Sequence, residues 1–325
     1  MKKVALFDVK PYDKDWFEKL KGEYGIEVDY IVEKLSPDTV AMAEGYDGVV
    51  PFVNDNLSAK TIEGLINLGI GVISMRCAGY NNLDLESCKG KIKVFRVPAY
   101  SPHAVAEHAI ALLMCMNRKL HEANNRILTY DFSLSGLMGI DLVGRTAGVF
   151  GTGKIGQVFI NICKGLGMKV IAHDIFPVDL PDVEYVTPAE LFKRSDVISL
   201  HCPQTPDTHH LINKNNLALM KDGVFIINTG RGGLVNAGDL LEAIERGKVA
   251  GAGLDVYENE AGIFFEDRSK DRPDDAILKK LIDNPKVLIT AHQAYLTQEA
   301  LKAIAEVTFK NLTDFFNGKT NENEV

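Results

Sequence analysis

Short runs of apolar residues alternate along the whole chain with stretches whose apolar positions recur at helical spacing. Most of the runs are continuous rather than alternating, which is typical of strands buried on both faces of a parallel sheet. The first series predicts strands at Val4–Phe7, Val28–Ile31, Gly48–Phe52, Val72–Met75 and Val94–Val97. The second predicts strands at Ala147–Phe150, Val170–His173, Val197–Leu200, Val224–Asn228, Gly253–Val256 and Val287–Thr290. Strands that alternate with helices in this way predict an α/β protein with doubly wound parallel sheets.

A long helix, from Pro102 to Leu128, is predicted between the two series. Ser101 can cap its first turn, and proline suits the first helical position. Its middle, residues 109–116, is apolar nearly all round, which is typical of a helix buried between two domains or two subunits. A last helix, about Thr297–Asn317, can return to the first domain. We therefore predict one domain formed by residues 1–100 and 297–325, with a second domain, 101–296, inserted in it.

The composition narrows the class of protein. A chain of 325 residues is long enough for two domains of roughly 100–200 residues each. The net charge of −8 and the absence of a Lys/Arg run argue against a nucleic-acid partner. No apolar run approaches the roughly 18 residues of a spanning helix, and Asp8 comes too early for a signal peptide. Five cysteines without a C-x-x-C pair favour a reducing compartment, so we predict a cytoplasmic protein.

The segment Gly151-Thr152-Gly153-Lys154-Ile155-Gly156 has the spacing G-x-G-x-x-G, follows a predicted strand and opens a predicted helix. The first glycine allows a tight turn, the second lets a pyrophosphate approach the backbone, and the third lets helix and strand pack closely. The amides of the helix start can bind the anion. Asp174, at the end of the next strand, can accept a hydrogen bond from a ribose 2′-OH and would repel a 2′-phosphate. The segment predicts a Rossmann-like domain that binds NAD rather than NADP; the alternative is an ordinary glycine turn.

Three polar residues follow later strands of the second series, namely Arg231, Glu260 and His292. Ligands of open α/β sheets collect at the carboxyl ends of the strands. Arginine can clamp a carboxylate, histidine can give a proton to a forming alkoxide, and a carboxylate can orient that histidine. The trio predicts hydride transfer to a carbonyl compound, the alternative being three ordinary loop residues. The pair His209-His210 has no further ligands, so no metal is predicted.

The chain resembles the D-isomer-specific 2-hydroxyacid dehydrogenases, and within that family the NAD-dependent D-lactate dehydrogenases. The resemblance covers nearly the whole sequence. The segments that carry it are 75–84 (MRCAGYNNLD), 97–102 (VPAYSP), 151–156 (GTGKIG), 201–203 (HCP), 228–232 (NTGRG), 255–260 (DVYENE), 264–267 (FFED) and 292–295 (HQAY). Asn236 departs from the pattern, since many relatives carry Asp there.

The resemblance implies a role for each residue of the trio: Arg231 binds the substrate, His292 donates the proton, and Glu260 is its partner. It also implies that the amides around Ala78 and Gly79, together with Tyr100, hold the substrate carboxylate. On the cofactor side it implies contacts from a further set of residues, beyond the three glycines and Asp174. They are Lys154, Ile155, Cys202, Pro203, Thr208, Thr229, Gly230 and Asp255.

The expected activity is the reversible, NADH-dependent reduction of pyruvate to D-lactate. Two alternatives stay open: the same chemistry on a larger 2-oxo acid, branched or aromatic, and a dinucleotide-sensing corepressor-like protein. The long apolar helix also suggests a homodimer or higher homo-oligomer.

Phe52 ends the predicted strand Gly48–Phe52, which belongs to the same sheet as the strand that leads to the Cys77–Gly79 loop, so Phe52 can face the group on the carbonyl carbon of the substrate. Tyr295, shortly after His292, is predicted to face the same group. Two aromatic rings would leave room for a methyl group and little more. The alternative is that Phe52 is simply a core residue.

Overall fold

The computed structural model describes residues 1–325, which fold as two compact units, Met1–Ser101 with Leu296–Val325 and Pro102–Tyr295. The strands are β1 (Lys2–Leu6), β2 (Ile26–Tyr30), β3 (Gly48–Val50), β4 (Val72–Ser74), β5 (Lys93–Phe95), β6 (Thr146–Phe150), β7 (Lys169–His173), β8 (Val183–Tyr185), β9 (Val197–Leu200), β10 (Val224–Asn228), β11 (Val249–Leu254) and β12 (Val287–Ile289). The helices are α1 (Pro11–Tyr24), α2 (Ala59–Asn67), α3 (Leu85–Cys88), α4 (Pro102–Arg118), α5 (Leu120–Ile127), α6 (Lys154–Gly165), α7 (Pro188–Arg194), α8 (Lys214–Leu219), α9 (Ala237–Glu245), α10 (Ala276–Asp283) and α11 (Gln298–Phe316). Short 3₁₀ helices lie at Val40–Ala43 and Gly232–Leu234.

The first unit is built on a parallel sheet of five strands in the order β2-β1-β3-β4-β5. Helix α11 completes it, because this last helix packs on α1 and β4. The ring of Phe309 lies 5.2 Å from that of Phe17 and 5.1 Å from that of Tyr24, between centroids. Thr297 caps α11 by accepting a hydrogen bond from the amide of Ala300. The end of the chain thus belongs to the same hydrophobic core as its beginning.

The second unit is built on a parallel sheet of seven strands in the order β12-β11-β10-β9-β6-β7-β8. The strand order reverses between β6 and β9. In doubly wound sheets such a reversal opens a crevice at the carboxyl ends of the two strands, where ligands bind. Two parallel-sheet α/β domains, one inserted in the other, confirm the predicted fold class.

The predicted single helix from Pro102 to Leu128 is wrong, because the chain forms two helices there. Lys119 adopts a left-handed backbone conformation, with φ 51°, and separates α4 from α5. The apolar side of α4 packs on α6 and β11 within the second unit, with Leu113 and Met116 in the core. That burial accounts for the apolar sequence of α4.

Most predicted strands lie within one or two residues of the observed bounds, and two strands differ more. Strand β11 begins at Val249 and ends at Leu254, whereas the prediction was Gly253–Val256. Its glycines lower its hydrophobicity, yet the packing requires them: a Cβ on Gly253 would lie 2.8 Å from Cβ of Leu112 on α4. Strand β8, at the sheet edge, was not predicted, since it has three residues in a proline-containing stretch. None of the helices is both long and apolar enough to span a membrane.

Candidate active site

The glycine loop joins β6 to α6 at the point where the strand order reverses. Gly151 has φ +93°, and a Cβ there would lie 2.6–2.7 Å from the backbone of His201 and Cys202, which follow β9. A Cβ on Gly156 would lie 2.0 Å from the carbonyl oxygen of Gly151, whereas the space around Gly153 is open. Gly151 therefore allows the tight turn, Gly153 leaves the backbone open to a ligand, and Gly156 allows the close contact of helix and loop. A dinucleotide-binding loop requires these three features.

Asp174 follows β7 and is hydrogen-bonded to this loop. Its Oδ2 accepts from the amide of Thr152 at 2.6 Å and from the Thr152 hydroxyl at 3.0 Å, and its Oδ1 accepts from the amide of Phe176 at 2.9 Å. Partial burial raises the pKa of the carboxyl group, but these donors outweigh it and leave the pKa below its usual value. Asp174 is half-buried, so a charged carboxylate stands at the edge of the loop.

Lys154 and Ile155 open α6, and Asp255 follows β11. The other predicted cofactor-side residues lie on the loops that follow β9 and β10. Thr229 is buried, and its Oγ1 has no hydrogen-bond partner within the chain. An unpaired buried hydroxyl is costly unless a ligand satisfies it, so Thr229 fits a bound dinucleotide. Cys202 is half-buried, and burial raises the pKa of its thiol to about 11, which leaves it uncharged. The hydroxyl of Thr208 donates to the carbonyl of Pro203 at 2.7 Å and so fixes the β9 loop.

His292 and Glu260 form a direct pair. The Nδ1 atom of His292 lies 2.7 Å from Oε1 of Glu260, and Oε2 of Glu260 accepts from the amide of Tyr257 at 2.9 Å. Both side chains are partly exposed, at 21% and 25%. The geometry leaves Nε2 of His292 for a substrate and gives the ring a fixed orientation, as expected of a general acid and its partner. The ring of Phe265 lies 5.5 Å from the imidazole ring between centroids.

Asp255 holds the loop that carries His292. Its fully buried carboxylate accepts hydrogen bonds from the Thr290 hydroxyl at 2.6 Å and from the amides of Gln293 and Ala294 at 2.8 Å each. His108, on α4, approaches Oδ1 at 3.4 Å. His292 itself has φ +54°, a conformation that is rare for a residue with a side chain and persists only where the surroundings fix it. Asp255, which the resemblance implies as a cofactor contact, supports the His292 backbone in the structure.

Arg231 begins the loop after β10. Its carbonyl accepts from Nδ2 of Asn228, and its guanidinium donates to the carbonyl of Gly230 at 2.8 Å. Gly232 lies against the β11 loop, because a Cβ there would meet the Tyr257 carbonyl carbon at 2.1 Å. The loops of Arg231 and Glu260 are therefore in contact, and the half-buried guanidinium can bind an anion beside them.

A second histidine–carboxylate pair, which the sequence did not indicate, ties three loops together. Nε2 of His210 lies 2.8 Å from Oε2 of Glu258, whose Oε1 accepts from the amide of Ala237 at the start of α9. The amide of His210 donates to the carbonyl of Gly233. The loops after β9, β10 and β11 are thereby joined. No group of three or more His, Cys, Asp or Glu side chains is placed to hold a metal ion.

In the first unit, Ala78 and Gly79 lie on the loop after β4. Nη1 of Arg96 donates to the carbonyl of Ala78 at 3.0 Å, and the Cys77 thiol donates to the carbonyl of Gly79 at 3.2 Å. The amides of Ala78 and Gly79 take part in none of the backbone hydrogen bonds of this loop. With the carbonyls engaged, two amides stay available for an anion. Arg96 was not predicted from the sequence, since only the fold brings it to this loop.

The two residues predicted to limit substrate size are both buried. Phe52, two residues beyond β3, is 6% exposed, and its ring lies under the guanidinium of Arg76. Tyr295, the last residue of the second unit, is 9% exposed, and Tyr100 is half-buried near the end of the first segment. Low exposure is compatible with both interpretations of Phe52, a pocket wall and a core residue, so its role stays a prediction.

The chain is similar to known proteins over nearly its whole length. The model of a family described as D-isomer specific 2-hydroxyacid dehydrogenase, NAD binding domain, matches residues 110–294. The chain is 44% identical over 328 residues to the D-lactate dehydrogenase of Escherichia coli, with 99% of each sequence covered. The pyruvate reductase of Chlamydomonas reinhardtii matches with a TM-score of 0.94 at 40% identity, over 99% of this chain and 98% of that one. A D-2-hydroxyisocaproate dehydrogenase matches with a TM-score of 0.90 at 33% identity, over 99% of both chains.

Proposed function

The chain belongs to the D-isomer specific 2-hydroxyacid dehydrogenase family of NAD-dependent oxidoreductases, and on that premise we propose that it reduces pyruvate to D-lactate, reversibly, with NADH. The observation that carries the proposal is the 2.7 Å pairing of His292 with Glu260 on strand-end loops of the nucleotide-binding sheet. The similarity of the chain to proteins named D-lactate dehydrogenase and pyruvate reductase supports pyruvate as the substrate.

In the proposed reaction NADH, when bound, supplies the hydride that the carbonyl carbon receives. His292 gives the proton from Nε2 to the carbonyl oxygen, so that the ketone becomes a hydroxyl group. Glu260 accepts the hydrogen bond from Nδ1, which fixes the ring and stabilises the imidazolium before transfer. In the reverse direction neutral His292 takes the hydroxyl proton. Arg231 binds the substrate carboxylate and polarises the carbonyl group.

We propose that the amides of Ala78 and Gly79 bind the substrate carboxylate, and that Tyr100 assists them. On the cofactor side, the proposal assigns the pyrophosphate to the glycine loop with Lys154 and Ile155, and the ribose to Asp174. Thr229, Gly230 and Asp255 are assigned to the nicotinamide end, and Cys202, Pro203 and Thr208 to the path between. The unsatisfied hydroxyl of Thr229 and the open space at Gly153 support this assignment.

The direct test is a panel of 2-oxo acids assayed with NADH, in which kcat/KM is measured for each acid and the chirality of the product is determined. We expect the highest kcat/KM with pyruvate and a product that is D-lactate. L-lactate as the product, or no oxidation of NADH with any acid, would reject the proposal.

The alternative of a larger substrate is favoured by the similarity to a D-2-hydroxyisocaproate dehydrogenase. The same panel separates the two, because a pocket built for a branched or aromatic group would give its highest kcat/KM with 2-oxo-4-methylpentanoate or phenylpyruvate. Pyruvate would then be a poor substrate that leaves part of the pocket unfilled.

We further propose that the protein is a cytoplasmic homodimer. All five cysteines are free thiols, as a reducing compartment maintains them. Large apolar side chains between α5 and β6 are each more than half exposed, notably those of Leu128, Tyr130, Leu134 and Met138. Such a patch is typical of a subunit interface. Sedimentation equilibrium should give twice the 35.8 kDa chain mass, and Tyr130→Asp with Leu134→Asp should give the monomer.

A further inference from the structure

The proposed reaction leaves one group of charged side chains in the first unit without a role. Asp8 follows β1, Asp55 follows β3, Arg76 follows β4, and Asp13 lies in the first turn of α1. Their exposed fractions are 2%, 2%, 1% and 6%. Charges that are buried this completely destabilise the folded protein unless they are paired. The burial of these four side chains therefore calls for a physical explanation.

Arg76 is the centre of this group. Its Nη2 donates to the carbonyl of Asp8 at 2.7 Å and to Oδ2 of Asp13 at 3.3 Å. Burial disfavours the charged guanidinium, but the carboxylates of Asp13, Asp55 and Asp8 outweigh burial and hold its pKa above the usual value. Nε and Nη1 are buried and have no hydrogen-bond partner in the chain. Hydrogen bonds therefore fix only one end of the guanidinium.

The guanidinium lies over the ring of Phe52, with Cζ of Arg76 4.4 Å from the centre of the ring. The backbone of Phe52 is fixed as well. Its amide donates to Oδ2 of Asp55 at 2.5 Å, and its carbonyl accepts from Nδ2 of Asn82 at 3.1 Å. The amide of Arg76 donates to the carbonyl of Pro51 at 3.2 Å, so the Arg76 and Phe52 segments are also joined through the main chain.

We infer that Arg76 is a positioning residue for substrate size, which sets the place of the Phe52 ring and so the space left for the group on the carbonyl carbon. The inference rests on the proposed function and on the predicted role of Phe52, since it needs the Phe52 ring to face the substrate. A cation over one face of an aromatic ring attracts that face and leaves the other face of the ring open. Arg76 also immediately precedes the Cys77–Gly79 loop, so one residue relates the ring to the loop proposed to bind the carboxylate.

The test measures kcat/KM for phenylpyruvate and for pyruvate in Arg76→Lys, which keeps the charge near Asp13 but removes the flat face. An ammonium that pairs with Asp13 cannot also cover the Phe52 ring as the wider guanidinium does. We therefore expect the ratio of phenylpyruvate to pyruvate to rise by about 3- to 30-fold, the range that corresponds to a lost buried cation–π contact. The KM for pyruvate should rise more than kcat falls, because His292, Glu260 and Arg231 are unchanged.

Arg96→Lys is the matched control. Arg96 also lies over an aromatic ring, that of Tyr80, with 5.4 Å from Cζ to the ring centre, and it also contacts the Cys77–Gly79 loop. Because every 2-oxo acid has the same carboxylate, Arg96→Lys should change kcat/KM for both substrates by the same factor and leave their ratio unmoved. A ratio that rises equally in the two variants would overturn a specific role for Arg76.

Phe52→Leu, alone and combined with Arg76→Lys, separates the inference from the proposed function. If Arg76 acts through the ring, Arg76→Lys should change the ratio no further once Phe52→Leu is present. A ratio that Phe52→Leu moves and Arg76→Lys does not would overturn the inference alone. A ratio that Phe52→Leu does not move would place Phe52 in the core and overturn the inference, whereas the proposed reduction of pyruvate would still stand or fall on the panel of 2-oxo acids. Should Arg76→Lys fail to fold, Asp13→Asn weakens the hold on Nη2 and must raise the ratio.

Discussion

Two buried aspartates, one in each unit, hold loops at the carboxyl ends of strands, and they do so differently. Asp255 is fully buried and accepts from one hydroxyl and two amides in the loop that carries His292. Asp55 is 2% exposed and accepts from two amides only, those of Leu35 and Phe52. Burial, the larger influence, raises the pKa of Asp55 to about 6. A carboxylate with more donors is the firmer support, so the proposed proton donor sits in the better fixed loop.

The largest effect is expected when the side chain of His292 is removed from the loop that Asp255 supports. His292→Ala should lower kcat for pyruvate reduction by about 10²–10⁴, the usual effect of losing a general acid. NADH affinity, measured by fluorescence titration, should barely change. His103→Ala is the matched control, because His103 also lies near a carboxylate, Glu107, but on an exposed helix face. A comparable loss of kcat in His103→Ala would contradict the assignment of His292.

A second prediction concerns the pH dependence of stability that Asp55 causes. Its pKa is about 6 in the folded protein, against an ordinary value of 3.8, so between these values the folded state keeps a proton that the unfolded chain loses. The contribution of Asp55 to stability is therefore present below about pH 4 and is lost as the pH rises to 6. At about 1.4 kcal/mol per pKa unit, the loss is about 3 kcal/mol.

The measurement is the difference in the free energy of unfolding between the wild type and Asp55→Asn, followed by urea denaturation from pH 4 to 6.5. Titratable groups that both proteins share cancel in the difference. As the pH rises, the free energy of unfolding of the wild type should fall relative to that of Asp55→Asn. A difference that is constant over this range would mean that folding does not raise the pKa of Asp55.

The comparison also shows which parts of the molecule could be predicted from sequence. Local sequence signals mark the glycine loop, Glu260 and His292. In each case a residue of a particular type follows a strand within a short segment, as the proposed chemistry requires. The support from Asp55 and Arg76 carries no such signal. Arg76 acts on Phe52 through a contact between separate strand ends, and nothing near either residue in the sequence indicates it. Likewise the glycines of β11 make sense only once α4 is packed against them.

A third prediction sharpens the role of the Asp255 carboxylate. Asp255→Asn keeps the shape of the side chain, but its NH₂ group then faces one of the hydrogen-bond donors that the wild-type carboxylate accepts from. The free energy of unfolding should fall by about 2 kcal/mol, as expected when a buried donor loses a charged acceptor, and kcat should fall with it. Thr290→Val removes only one of the three donors and should cost about 1 kcal/mol. Equal losses in the two variants would show that the amides of Gln293 and Ala294 do not depend on the charge.

Asp174 is a third aspartate at the end of a strand. Of the variants considered, substitutions at Asp174 should have the smallest effect. It accepts from two amides and a hydroxyl, like Asp255, but it is half-buried, so it can both hold the glycine loop and face a ribose. Asp174→Asn removes the charge and keeps an acceptor, whereas Asp174→Ala removes both. If charge alone selects NADH, Asp174→Asn should narrow the preference over NADPH by about ten-fold, roughly 1.4 kcal/mol, through the KM for NADPH. Asp174→Ala should narrow it by as much but also raise the KM for NADH, because Thr152 loses its acceptor. A wild type that uses the two cofactors equally well would show that Asp174 supports the loop and does not select the cofactor.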